Sequence, residues 1–327
     1  MIKKILFLAL VLMAILVSGC GESKKILNVS YDPTRELYAV YNKKFKAYMN
    51  DGEIVLTQSH GGSGKQAQAV IDGLEADVVT LALAYDVMKI EKAGLINAGW
   101  QKNFPTNSSP YTSTIVFLVR NGNPKNISDW QDLTRDDIEI VMPNPKTSGA
   151  AQWGYLAAWE VANRNFNGDE NKVREYMKKL FENVVALDSG ARGSTISFVN
   201  QKIGDVLISW ENEALLSVQE NPDEYEIITP SLSILAEPSV AVVDKVVDKK
   251  GTRKLATEYL KYLYSYEGQE IAAQNFYRPR NEKLLEKYNY IFKPLNLFTI
   301  DEAFGGWQNA HDEHFADGAT FDQIYYN

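Results

Sequence analysis

The sequence predicts an α/β molecule of two lobes, each a mostly parallel sheet flanked by helices, with a ligand cleft between them. Three observations carry this prediction. Strand-length apolar runs alternate with helical stretches, as in sheets covered by helices. The alternation breaks near Asn121-Gly122-Asn123-Pro124 and then starts again. Four strand-to-helix turns are built from small or capping residues: Tyr31-Asp32-Pro33, Gly62-Ser63-Gly64, Thr147-Ser148-Gly149-Ala150 and Gly190-Ala191-Arg192-Gly193. Ligands of such sheets bind outside the carboxyl ends of the strands, so facing lobes would share one cleft.

Ile26 to Ser30 reads as a buried strand. A helix should follow at once, with Asp32 as N-cap and Pro33 at the first helical position. Glu53 to Gln58 is a second strand, followed by the glycine turn and a helix near Lys65 to Gly73. Asp77 to Ala82 is a third strand, before the helical stretch Tyr85 to Ala93. The second series holds strands at Thr114–Val119, Ile138–Met142, Val184–Asp188 and Asp205–Trp210, with helices at Ala150–Arg164 and Thr195–Asn200. Pro238 to Val247 reads as a strand and Thr252 to Tyr264 as a helix, and the chain ends in helices and loops. The division expected is a signal segment at 1–20, a tether at 21–25, a first lobe from 26–113 with 237–327, and a second lobe from 114–236.

The N-terminus is a targeting segment. Lys3 and Lys4 precede the apolar run ILFLALVLMAILV, which is too short for a comfortable membrane span and ends at Val17-Ser18-Gly19-Cys20. Small residues before a lone cysteine resemble a bacterial lipobox, so Cys20 is expected to become the lipidated first residue of the mature chain. With one cysteine no internal disulfide can form, and stability must come from the core. The remainder is expected to lie outside the cytoplasm on a lipid anchor. Without Lys3 and Lys4, 32 basic residues face 42 acidic ones, a net charge of −10. That surface argues against nucleic acid as a partner, and it draws no anion from a distance, so any anion site must rely on local donors.

The stretch His60-Gly61-Gly62-Ser63-Gly64-Lys65-Gln66 has the look of a phosphate loop but fails its spacing. Ser59 stands where a Walker A loop needs glycine, and Gln66 where it needs the hydroxyl that holds magnesium. A nucleophile elbow fails as well, because Lys65 occupies the glycine position after Ser63. What survives is a glycine-rich turn entering a helix, whose free N–H groups and dipole attract an anion. His311 and His314 have half of a zinc-like spacing but no evident third ligand, so no metal is expected. No cofactor is expected either. His60 is read as pinning the glycine turn, and Arg192 as either a neighbour of the site or a loop brace.

SYDPTREL, QSHGGSGKQ, EADVVTLALAYDV, YTSTIVFLVR, LDSGARGST, ENEALL, FYRPR and FTIDEAFGGW together resemble the periplasmic sulfate-binding proteins of sulfate/thiosulfate ABC importers. The resemblance runs from about Ile26 to the C-terminus. It implies the type II periplasmic binding fold, a monomer with a hinge between its lobes, no catalysis, and an ABC transporter permease as partner. It also implies the contacts. Backbone N–H groups of Asp32 and Ser63 come from the first lobe. The Ser148 hydroxyl, the N–H groups of Gly149, Ala150 and Ala191, and the Trp210 indole N–H come from the second. The family often has a second glycine where this chain has Ala150; the N–H is the same donor beside an added methyl. The Asp32 carboxylate is expected to turn away from the ligand to cap its helix.

Such a set contains neutral donors and no cation. Sulfate is fully ionised at neutral pH and accepts at every oxygen, whereas phosphate keeps a proton that would find no acceptor. Thiosulfate is the natural second ligand. Molybdate or tungstate, larger tetrahedral dianions, are the alternative within this class. An extracytoplasmic hydrolase is the alternative outside it, and no histidine stands convincingly beside a serine motif.

Overall fold

A computed structural model of the protein describes residues 24–326. The expected signal segment, Cys20 and most of the tether lie outside those residues. Nine strands of four or more residues are described: β1 (Lys25–Tyr31), β2 (Val55–Gly61), β3 (Val78–Leu81), β4 (Ile115–Arg120), β5 (Ile140–Pro143), β6 (Val184–Asp188), β7 (Val206–Trp210), β8 (Tyr225–Ile228) and β9 (Ser239–Val242). They form two sheets, ordered β9-β3-β1-β2 and β6-β5-β7-β4-β8. In the first, β1 pairs parallel with β2 from Lys25↔Val55 to Tyr31↔Gly61, and parallel with β3 on its other edge. The returning β9 runs antiparallel to β3.

The second sheet is mostly parallel as expected, with four of its five strands running one way and β4 alone reversed. β5 is parallel to β6 and β7, but β4 is antiparallel to both β7 and β8. The reason is where the chain enters. Ile115, the first residue of β4, lies opposite Trp210, the last of β7. A strand that starts at the end where its neighbours finish must run against them.

The helices of the first lobe are α1 (Arg35–Met49), α2 (Ser63–Ile71) and α3 (Ala84–Lys92), each following a strand as expected. Those of the second are α4 (Gly149–Asn165), α5 (Glu170–Glu182), α6 (Ala191–Thr195) and α7 (Glu211–Glu220). The helix read at Thr195–Asn200 is in fact the end of α6 followed by a single π-helical turn, Ile196–Asn200. Both sheets are buried on two faces. In β4, Ile115, Phe117 and Val119 join one apolar cluster while Val116 and Leu118 join another, the two-residue period of a covered strand.

One further expectation is corrected. The strand read over Pro238–Val247 stops at Val242, and Asp244–Lys250 is a helix, α8, ending at Gly251 with φ 69°. The Asp244 carboxylate accepts the Asn97 N–H at 2.8 Å and Arg253 at 2.7 Å, which fixes the turn between them. The helices α9 (Arg253–Tyr262), α10 (Tyr266–Gln274) and α11 (Glu282–Lys287) follow. Leu297–Phe298 pairs with Ser233–Ile234. The helices α12 (Ile300–Phe304), α13 (Trp307–His314) and α14 (Thr320–Tyr325) come last, with α13 in contact with α3 and α14 with α5. Trp307 packs edge-on to Trp153, His314 against Tyr155 and Trp159, and Phe321 against Phe181. The aromatic face of α4 is what holds this segment.

Candidate functional site

Four turns deliver their N–H groups to one place between the sheets. β1 ends at Tyr31 and passes into a 3-10 turn, Asp32–Thr34. β2 ends at Gly61, and α2 starts at Ser63 after Gly62. Its first backbone bond is Gln66 N–H to Gly62 O at 2.9 Å, so the N–H groups of Ser63, Gly64 and Lys65 have no acceptor within the helix. In α4 the first bond is Gln152 N–H to Ser148 O, and in α6 Ser194 N–H to Gly190 O. The same reasoning leaves Gly149, Ala150, Ala191 and their successors as open donors. Each helix adds the positive end of its dipole.

All seven positions implied by the resemblance line a single cavity of about 190 Å3: Asp32, Ser63, Ser148, Gly149, Ala150, Ala191 and Trp210. Tyr31, Pro33, Gly61, Gly62 and Ala82 complete the lining. No Lys or Arg is among the described residues that line it. The Trp210 side chain is 1% exposed, and its Nε1–H is buried without any hydrogen-bond partner. Its ring is held by Tyr31, with centroids 5.8 Å apart. A donor left unpaired in the interior costs about 1–3 kcal/mol, so the indole N–H is chemically suited to an acceptor in the cavity.

The side chains around the turns are occupied in holding them. Ser63 Oγ donates to Asp86 at 2.6 Å and accepts the Ala82 N–H at 3.0 Å, which leaves only its backbone N–H for a ligand. Burial pushes the Asp86 carboxyl up, and Ser63 and Lys89 pull against that shift. His60 pins the first turn rather than its own. Thr34 donates to Ser30 Oγ or Tyr31 O, and Ser30 Oγ lies 2.8 Å from His60 Nδ1. Burial and the neighbouring Arg35 lower the His60 pKa to about 4, so the ring is neutral at neutral pH.

Asp32 is not the N-cap expected. That position belongs to Tyr31, which makes no side-chain cap bond, and the Asp32 carboxylate instead accepts from Arg35 at 2.8 Å. Its other oxygen stands 3.1 Å from where a Cβ on Gly190 would sit. The 3-10 turn places Asp32 one residue inside the helix start, beyond reach of the cap geometry but three residues from Arg35. Arg192 is a brace. It donates to Glu36 of α1 at 2.9 and 3.1 Å and to Glu213 of α7 at 3.0 Å. Burial alone would lower its pKa, but the two carboxylates hold it charged, above its ordinary value. Burial raises Glu213 despite Arg192.

The lobes touch closely around the cavity. A Cβ on Gly149 would lie 2.7 Å from Ala82 Cβ, and one on Gly62 would lie 2.7 Å from Thr147 O. Trp153 Nε1–H donates to Ala82 O at 3.0 Å. Sequence reading did not single out Gly62 or Trp153 for this role. The neighbouring turns flagged Gly62, but nothing local marks Trp153, whose partner is 71 residues away. His311 and His314 do not meet a third ligand: among the described residues no group of three His, Cys, Asp or Glu is placed to hold a metal.

A family model for bacterial extracellular solute-binding proteins matches residues 28–278. The chain belongs to that family. Among bacterial extracellular solute-binding proteins, the sulfate-binding protein of Escherichia coli K12 is 60% identical over 311 residues, 94% of each chain. The thiosulfate-binding protein of Pseudomonas aeruginosa is 47% identical over 329 residues, 98% of this chain and 99% of its own. The solved sulfate-binding protein SubI of Mycobacterium tuberculosis superposes with a TM-score of 0.80 at 31% identity, covering 89% of this chain and 99% of that one. No described helix is long and apolar enough to cross a membrane.

Proposed function

We propose that this solute-binding protein is a sulfate receptor, with thiosulfate as a second ligand, that hands its anion to the permease of an ABC transporter and catalyses nothing. The observation that carries the reading is the buried, unpartnered Trp210 N–H in a cavity otherwise walled by helix starts. Five backbone N–H groups, from Asp32, Ser63, Gly149, Ala150 and Ala191, together with the Ser148 hydroxyl and the Trp210 indole, surround the dianion. Hydrogen bonds to a charge are the strong kind. A cavity of donors gives phosphate nowhere to place its proton, at a cost of about 1–3 kcal/mol. The names of the similar proteins point to the same pair of anions.

In this reading the lobes are residues 26–113 with 237–296, and 114–236 with the C-terminal helices. Each lobe supplies part of the donor set, so the anion favours the shut form, and the shut monomer docks on the permease. Cys20 carries the lipid that keeps the receptor at the membrane outside the cytoplasm. Calorimetry on protein dialysed free of sulfate is the test, with sulfate, thiosulfate, molybdate and phosphate titrated separately. Tight sulfate binding with phosphate silent is expected. A preference for molybdate would reassign the substrate, and silence with all four would end the receptor reading.

A further inference from the structure

Arg192 of α6 reaches Glu36 of α1. A second contact between the two halves of the molecule is one that no donor set requires. Tyr85, in the first turn of α3, stacks on His311 of α13 with ring centroids 3.9 Å apart and planes 16° from parallel. α3 moves with the first sheet, since it packs on α2, β3 and β9. α13 is fastened to the second lobe through Trp307 on Trp153 and His314 on Tyr155 and Trp159. Lys146 adds a bond to Asp322 at 2.8 Å just beyond α13. The stack therefore joins α3, packed on the first sheet, to a helix held on α4 of the second.

We propose that Tyr85 and His311 form an interlobe clasp, positioning residues that set how long the bound anion stays; the readout rests on the sulfate reading above. The chemistry of His311 supports a packing role for its ring. Its Nδ1 is buried and makes no hydrogen bond, with the Asp312 carboxylate 3.5 Å away and engaged by Gln308. Burial lowers its pKa, with Asp312 opposing and Lys89 and Lys146 assisting, so a neutral ring faces Tyr85. Stacked aromatic pairs contribute beyond the area they bury. Neither ring lines the anion cavity, so removing one leaves every proposed donor in place and loosens only the closed state.

The experiment is stopped-flow tryptophan fluorescence with sulfate on wild type, Tyr85→Ala, His311→Ala, the double variant and His311→Phe. Release is expected to quicken about three- to tenfold in each alanine variant, with association unchanged. The double variant should release no faster than either single, because the same contact is lost in all three. His311→Phe should release at the wild-type rate, because it keeps the ring and loses only an unpaired nitrogen. Unchanged release in both alanine variants, or fast release in His311→Phe, would overturn the clasp while leaving the sulfate reading intact. Should wild type bind none of the anions, the sulfate reading falls alone. Small-angle scattering of the free protein then decides the clasp: Tyr85→Ala opens the molecule if the stack holds it shut, and an unchanged profile overturns it.

Discussion

Trp210 ends a buried strand, where a tryptophan is ordinarily core packing, yet its indole N–H has no partner. Trp210→Phe keeps an aromatic ring and removes that donor. Sulfate affinity should fall about ten- to a hundredfold, the worth of one hydrogen bond to a charged group; an unchanged calorimetric constant would take Trp210 out of the contact set. The candidate site was legible in the sequence to the extent that backbone does its work. Ser63, Gly149 and Ala191 sit where strands end and helices start, and small or capping residues mark such places locally. Side-chain partners were not legible. Asp32 looks like a cap beside Pro33, but a 3-10 turn shifts it by one position and gives its carboxylate to Arg35. Arg192 could have faced ligand or solvent; its choice of Glu36 and Glu213 is made by elements far apart in sequence.

Elements were legible where their ends are chemically marked. β6 was read over Val184–Asp188 and is found there, and α4 was read within a residue of its bounds at each end. The failures have physical causes. The valines of SVAVVDKVVDKK suggest one long strand, but the chain turns at Val243 and the same residue type packs from a helix as well as from a strand. The sheets are mostly parallel as read, but the reversal of β4 alone depends on where the chain enters the second sheet, which no local pattern records. Close approach of elements is likewise non-local, and Gly149 is the sharpest case. Gly149→Ala would place a methyl 2.7 Å from Ala82 Cβ, at the contact between the start of α4 and the end of β3. Overpacking of this kind costs about 1–3 kcal/mol. Because opening the lobes relieves it, the cost should appear as roughly tenfold or weaker sulfate binding. Sulfate-induced compaction in small-angle scattering should be reduced with little change in melting temperature; full compaction in the variant would show that the approach is not limiting.

The whole molecule carries three histidines, and all three have lowered pKa values. His314 is fully buried among Tyr155, Trp159, Phe304 and Phe315, with Tyr155 at 3.3 Å from Nδ1 and Glu313 3.8 Å from Nε2. Burial, with Arg174 assisting, brings its pKa down to about 4. The unfolded chain takes up that proton near pH 6.5, so between pH 6.5 and 4 the unfolded state binds more protons. Stability from this group is complete above pH 6.5 and is lost as pH falls, by at most about 1.4 kcal/mol per pH unit. Buried Asp86 and Glu213 shift upward and act in the opposite sense. The check is therefore a difference: urea midpoints of wild type should fall more steeply from pH 6.5 to 4 than those of His314→Phe. Parallel slopes would mean that His314 does not titrate in this range.

The crossings of the chain between lobes also fix an order of assembly. The second sheet, from Ile115 to Ile228, is one continuous stretch, so it can close as soon as that stretch is available. The first sheet lacks its edge strand until Ser239–Val242 has followed, which leaves one side of β3 unpaired through the synthesis of more than a hundred intervening residues. The aromatic face of α4 waits longer still, for Trp307, His314 and Phe321 near the end. A chain read out from its N-terminus thus completes the sheet it began last, seals the sheet it began first afterwards, and has its apolar seam covered only by its final residues.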